Sequence, residues 1–389
     1  MSTNSAVSAD TEEILPLTGL RFIAALYVFI FHIQLRWPLA PESAFLTNLL
    51  GQGAIGMSLF FILSGFVLAK RYHSGKDSFK DYIVNRFARI YPVYVVAALL
   101  TVPWMGVDFN AESAYGSVRH LLTAAMLVLA ELLVIQAWFP QLFHMWNNGG
   151  SWSISVEVCC YLLLPLILAR VVVLGDAGLR RLALAAYALA LLPGMVLVLL
   201  GGDYLVFYSL PIYRLPEFTM GVCTLEILRR GLLSRRLALL LHIPALALLT
   251  VYLGLAGNRL PGWITHNWIV LPVIALTIYA VTQGGVLAKL LGNRLLVWCG
   301  HISYSFYSFQ MLLLLVLKSH HAAIVAYLPL LRDNRMLLLA AFAVLMALSA
   351  FGYHCIEEPC RKWIRRRGKS HWGLGRPTAL AARAAESAQ

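Results

Sequence analysis

The sequence predicts an all-α fold, a polytopic membrane helix bundle of about ten transmembrane helices plus one re-entrant or interfacial helix. Three observations predict it. Of the 389 residues, 60% are hydrophobic and only 13% are charged, about half the ~25% charge of an ordinary soluble domain. Mean hydropathy is +0.74. Apolar runs long enough to cross a ~30 Å hydrocarbon layer, which takes about 20 helical residues, recur from Leu15 to Cys355.

Eleven apolar segments begin near Leu17, Ala54, Tyr91, Leu121, Ile154, Leu182, Val206, Leu237, Trp268, Leu295 and Met336. Short loops rich in Lys and Arg stay in the cytoplasm, so the basic clusters orient these segments. Lys70, Arg71, Lys76, Lys80, Arg86 and Arg89 form the strongest cluster and put the N-terminus inside. Arg170 with Arg180 and Arg181, Arg229 to Arg236, Lys289 with Arg294, and Arg361 to Arg367 follow. All of them fall inside if Leu121–Ala137 does not cross, and Glu131 within that segment opposes a lipid-facing span. The reading is therefore ten spans in the cell inner (plasma) membrane, with both termini cytoplasmic and Leu121–Ala137 re-entrant or interfacial. Lys318, Arg332 and Arg335 stay outside, against the rule.

Residues 1–13 form a polar cytoplasmic N-terminus, 14–364 the membrane domain, and 365–389 a basic tail expected to be disordered. No cleavable leader is expected, since Met1–Glu13 is polar and acidic where a leader would begin basic. The six cysteines show neither metal-ligand spacing nor a secreted disulfide pattern, so no metal is expected and they read as small buried apolar residues. The net charge of +13 sits in clusters between apolar segments, which argues for lipid bilayer and against nucleic acid as partner.

Polar groups inside a membrane are costly and raise functional questions. The first helix carries Arg21 and His32, eleven positions apart. That is close to three turns, so they share a face about 16 Å apart. Snorkelling of Arg21 and a bonded His32 is the plain alternative. In the second segment Gly51, Gly53, Gly56 and Gly65 suit close helix packing. Arg86 and Arg89 lie three apart before Pro92, read as an ordinary helix start. The two guanidiniums suit a phosphate-bearing ligand or simple anchoring.

The stretch NNGGSWSISVEVCCY is the least membrane-like entrance to a span. Glu157 there is expected near the outer surface at the depth of His32, where it could orient the imidazole or pair with a cation. Arg214 and Glu217 lie three apart between Pro211 and Pro216; the prolines suggest a broken helix lining a cavity. His301, Ser303, Tyr304, Ser305, Tyr307 and Gln310 crowd three turns of the tenth span, and Tyr353, His354, Glu357, Glu358 and Arg361 close the last. Together these describe a polar path through the bundle. A transporter or exporter also needs such a path, but no internal repeat is visible.

The chain resembles the acyltransferase family 3 of membrane O-acyltransferases. The resemblance rests on LTGLRFIAALYVFIFH at Leu17–His32, GMSLFFILSGFVL at Gly56–Leu68, RFARIYP at Arg86–Pro92 and WSISVEVCCY at Trp152–Tyr161. It continues with RLPEFTMG at Arg214–Gly221, GHISYSFY at Gly300–Tyr307 and YHCIEEPCR at Tyr353–Arg361. It implies a ten-helix bundle that binds acetyl-CoA, the acyl-donor co-substrate, from the cytoplasm and delivers the acyl group to hydroxyls of glycans or small molecules. Arg21, His32 and Glu157 are the implied catalytic residues. Arg86, Arg89, Tyr91, Arg214, Glu217, Ser303, Tyr304 and Arg361, all within the shared strings, are the expected donor contacts. Gln310 is a departure, standing where many relatives have histidine, and no fused esterase-like domain is expected.

The expected mechanism puts the nucleotide end of acyl-CoA at Arg86 and Arg89, with the pantetheine arm reaching inward. His32 acts as general base on the acceptor hydroxyl, or forms an acyl-histidine, with Glu157 supporting it. Lipopolysaccharide or exopolysaccharide sugars are the first-choice acceptors, and a macrolide-like metabolite is the alternative.

Overall fold

The structure, a computed structural model, describes residues 13–73, 78–107, 114–202, 204–257 and 259–371. Most of the N-terminal and C-terminal segments, with Lys76, lie outside the described residues. Within them the chain is all-helical, with no strand.

Helix α1 spans Leu15–Gln34, with Pro16 in its first turn, where the missing N–H has no helical partner to lose. Ser43 caps α2, Ala44–Leu50, by accepting from the Leu46 amide at 3.3 Å. Helix α3 spans Ile55–Tyr72. Ser78 caps α4, Phe79–Leu100, and this early start corrects one expectation: Pro92 lies inside the helix, not at its first turn. Arg86 and Arg89 consequently project from an established helix rather than from a loop.

Helix α5 spans Ala114–Leu132 and α6 spans Asn148–Val173. Helix α7, Asp176–Leu199, precedes a short α8, Tyr204–Ser209, and α9, Pro211–Arg229. The chain breaks at Leu210, whose extended backbone (φ −64°, ψ 129°) is the conformation a following proline enforces. The expected break between Pro211 and Pro216 is thus displaced: Pro216 sits inside a continuous α9. Helix α10 covers Arg235–Ala256, α11 Gly262–Asn267, α12 Val270–Thr282 and α13 Val286–Leu291. Helix α14 runs 34 residues, Arg294–Tyr327. Helix α15, Asn334–Gly352, passes through a π-helical turn at Tyr353–Glu357 into α16, Glu358–His371.

Among the described residues nine helical stretches are long and apolar enough to cross a membrane. Helix α9 is not among them, because Arg214, Glu217, Glu226 and Arg229 interrupt it. Helix α5, which contains most of the expected re-entrant segment, also falls outside that set. Its Leu121, Leu122 and Leu129 are exposed while Glu131 is buried, accepting from Tyr94 Oη and, at 3.0 Å, from Ser151 Oγ. The segment's one carboxylate therefore points into protein, as a low-dielectric surround requires.

The centre of the bundle is built from α1, α3, α9 and α14, with α3 against α9 and α1 against α14 the most extensive pairings. Glycine makes the first possible: a Cβ at Gly65 would meet the Phe218 carbonyl, and one at Gly221 the Ile62 carbonyl. Gly53 and Gly56 bring α3 and the turn before it onto α1 in the same way. Phe306 of α14 is edge-on to Phe22 and Phe29 of α1, with ring centroids 5.6 and 5.7 Å apart. Three cysteines, Cys160, Cys223 and Cys299, are buried as expected. Cys355 is exposed, and Cys159 and Cys360 are intermediate.

Candidate active site

Helix α1 borders cavities at both of its ends. Arg21 lines two of them. The first, about 360 Å³, is bordered by Glu13, Arg21, Lys70, Arg71, Arg86 and Arg361, so basic side chains predominate among its described lining residues. The second, a central cavity of about 110 Å³, shares Arg21, Val67, Leu68 and Arg86 with the first and adds Arg89, Glu157, Ser303 and Tyr304. His32 lines a separate chamber of about 780 Å³.

Arg21 and Arg86 make no ion pair with any described residue. Arg86 lies 5.7 and 6.0 Å from the ring centroids of Tyr72 and Tyr161, a cation–π contact that orients without neutralising it. Arg89 is different: it pairs with the fully buried Glu357, whose other oxygen accepts from Ser305 Oγ at 2.9 Å. Arg361 pairs with Glu358. Two guanidiniums at the junction of the basic and central cavities, Arg21 from α1 and Arg86 from the turns of α4 before Pro92, are thus left for an anion.

Glu13 closes one side of the basic cavity, accepting from Thr18 Oγ1 at 2.6 Å and facing His301 Nε2 at 3.1 Å. Burial alone would raise its carboxyl pKa, but the Thr18 hydrogen bond and the charges of His301 and Arg21 outweigh that and hold it below the ordinary value. His301, one of the crowded polar residues of the tenth predicted span, accordingly belongs to the rim.

Glu157 does not sit at the depth of His32. Helix α6 begins at Asn148 rather than near Ile154, so Glu157 lies nine residues in, about 14 Å along the axis, and faces the central cavity. It accepts from Tyr161 Oη at 2.7 Å and from Ser64 Oγ at 3.4 Å, within electrostatic range of Arg21 and Arg86. Its neighbours are therefore the two free arginines, not the imidazole.

At the other end of α1, Nδ1 of His32 is buried without a partner. Gln310 stands beside it, and neither of its buried amide atoms forms a hydrogen bond. Three unsatisfied polar atoms at one place are costly, and water or a ligand hydroxyl would relieve them.

The divide between central cavity and chamber falls between close neighbours in sequence. Ser153 and Tyr307 line the cavity, whereas Trp152 and Met311 line the chamber. Ser153 Oγ and Tyr307 Oη are 2.7 Å apart.

Ser303 and Tyr304 both border the central cavity, but their hydroxyls are engaged with the Gly300 and Ile90 carbonyls, each at 2.8 Å. Tyr91 lines none of the three cavities; its hydroxyl bonds the Leu132 carbonyl at 3.1 Å. Arg214 and Glu217 likewise line none of them and form a buried pair at 2.6 Å. Arg214 is caged by Tyr208, Trp263 and Trp152 at 4.7, 5.0 and 5.7 Å. With the break at Leu210, the pair packs behind the chamber wall made by Trp152 and Tyr208 instead of lining any of these three cavities.

Sequence reasoning missed the chamber's far wall. Gln52 and His266 are joined there at 2.7 Å although 214 positions apart. The only signal was a polar residue at the entrance of each apolar segment.

A family model described as an acyltransferase domain matches residues 15–354. The chain is 29% identical over 379 residues to acyltransferase MdmB of Streptomyces mycarofaciens, covering 90% of this chain and 92% of that protein. It is 25% identical over 400 residues to the putative peptidoglycan O-acetyltransferase YrhL of Bacillus subtilis (strain 168), covering 89% of this chain. The alignment covers 54% of YrhL, so the chain spans about half the length of that relative. An O-acetyl transferase of Shigella phage Sf6 is 28% identical over 155 residues, 39% of this chain and 44% of that one. No solved structure matches the chain.

Proposed function

The chain belongs to acyltransferase family 3, and from that premise we propose that it transfers an acetyl group from cytoplasmic acyl-CoA to a hydroxyl of a cell-surface glycan. Membership makes it an acyltransferase of groups other than aminoacyl groups. The nine long apolar helices among the described residues make it a multi-pass membrane protein, which we assign to the inner membrane with both termini cytoplasmic.

The observation that carries the proposal is that one helix, α1, borders a cavity rich in basic side chains with Arg21 and a large chamber with His32. The phosphates of CoA meet Arg21 and Arg86, whose guanidiniums have no carboxylate partner among the described residues and suit bidentate phosphate binding. The thioester extends through the central cavity toward the Ser153–Tyr307 divide. The acceptor enters the chamber, and His32 takes the proton of its hydroxyl. The hydroxyl oxygen bonds the acetyl carbon, the carbon–sulfur bond breaks, and CoA leaves as the thiol once it has received a proton. Glu157 balances the charge of Arg21 and Arg86 when the donor is absent. A glycan acceptor is supported by the relative named for peptidoglycan.

The test expresses wild type and His32→Ala in a host lacking the gene and scores ester-linked acetyl on purified surface glycan by proton NMR. Acetyl with wild type and none with an equally abundant variant is the expected result. Full acetylation by the variant would remove His32 from the reaction, and no acetyl in either strain would remove the glycan.

A further inference from the structure

The His32 chamber has a one-sided charge. Arg36, Lys318, His144, His266 and His32 face it, and no Asp or Glu is among the described residues that line it. Arg36 donates to the His32 backbone carbonyl at 3.3 Å. Neither Arg36 nor Lys318 forms an ion pair with any described residue. Arg335, near the same end of the bundle, is neutralised by Glu42. Lys318 is also one of the few basic residues that membrane orientation does not explain, so its place on the chamber wall calls for another reason.

The rest of the chamber suits a sugar. Tyr208, half-buried, gives it a flat apolar face backed by the buried Trp152, with ring centroids 4.7 Å apart, and Arg214 holds both from behind. Such a face packs against the C–H side of a pyranose ring. At about 780 Å³ the space is within the ordinary range for a small-molecule site. Exposed cations without a carboxylate partner among the described residues, set on the wall of a half-open chamber, raise the local concentration of anions and disfavour neutral competitors only weakly.

Resting on the acyl-transfer reading above, we propose that the chamber selects an acidic acceptor: a sugar bearing a carboxylate or a phosphate. Arg36 and Lys318 hold the anion, and a hydroxyl of the same sugar meets His32. The His266–Gln52 pair stiffens the opposite wall.

The test uses purified full-length protein in lipid nanodiscs. Methyl glucuronide, methyl glucoside 6-phosphate and methyl glucoside are titrated separately, reading the fluorescence of the chamber tryptophans. At least one acidic sugar is expected to bind about tenfold more tightly than the neutral one, equivalent to ~1.4 kcal/mol. Its advantage should shrink with added salt, and the tighter of the two names the anion. Arg36→Gln combined with Lys318→Gln should erase the advantage, and Arg36→Glu combined with Lys318→Glu should reverse it, with thermal midpoints checking that each variant folds. Equal binding of all three sugars, binding of none, or a preference surviving the double substitution overturns the proposal. Acetyl transfer from acetyl-CoA is followed separately on the same samples. Selective binding without transfer would count against the reaction and leave the acidic preference standing.

Discussion

The hydroxyls of Ser153 and Tyr307 meet at 2.7 Å where the central cavity gives way to the His32 chamber. Ser153 is on α6 and Tyr307 on α14, so this contact ties two helices at the boundary between the proposed donor and acceptor spaces. Tyr307→Ala removes the tie and the ring that sits 6.0 Å from Phe60. We expect thioester hydrolysis to rise relative to acyl transfer, because water reaches the donor. Comparing free thiol released with ester formed checks this; an unchanged ratio would mean the pair is only packing.

Arg86 and Arg89 should behave differently although they are one turn apart on α4. Arg86 has no acidic partner among the described residues, so Arg86→Ala should raise the KM for acetyl-CoA about ten- to a hundredfold, the range for losing a charged hydrogen bond, with little change in thermal midpoint. Arg21→Ala should act similarly. An unaltered KM in both would place the phosphates elsewhere.

Arg89 should matter through Glu357, which is fully buried and also accepts from Ser305. Glu357→Ala leaves a partly buried guanidinium unpaired and should destabilise by ~3 kcal/mol. Combining it with Arg89→Ala should recover part of that loss. A double-mutant cycle on thermal stability measures the coupling, and a value near zero would contradict the pairing.

Arg214 and Glu217 lie within a shared family string yet are packed behind the chamber. Either Ala substitution should cost ~3–5 kcal/mol, as expected for stranding one partner of a buried pair, and should lower the folded yield. Arg214→Lys should fail nearly as badly, since an ammonium cannot replace a planar guanidinium caged by three rings. Detergent size-exclusion profiles read the yield. Normal folding with a raised KM for acetyl-CoA would instead restore a donor-binding role.

The crossing of α3 and α9 should resist the smallest enlargement. Gly221→Ala forces a methyl against the Ile62 carbonyl, backbone that cannot rotate aside, and should destabilise by ~1–3 kcal/mol. Gly231→Ala offers a control with open space around its Cβ but a φ of 63°, so any cost there is backbone strain alone. Equal thermal midpoints for Gly221→Ala and wild type would contradict the close approach.

Much of the fold was legible in the sequence because lipid imposes it locally. An apolar run of sufficient length must become a helix to satisfy its own backbone, so the spans followed from composition and the small-residue run Gly51–Gly65 announced close packing. Arg21 and His32 share a helix, and their separation followed from its rise per residue. Tertiary structure decided the rest, because side-chain partnership depends on which helices become neighbours. Nothing local distinguishes Arg86 from Arg89; Glu357, 268 positions away, neutralises one and spares the other. The depth of Glu157 turned on where α6 begins, and an early start carried it from the imidazole to the arginines. The Arg214–Glu217 pair read as a cavity because its prolines are visible in the sequence, whereas the three aromatic rings around it come from separate elements. The chamber's charge was the least legible feature, since Arg36, Lys318, His144 and His266 belong to four separate stretches that only the packed bundle brings around one chamber.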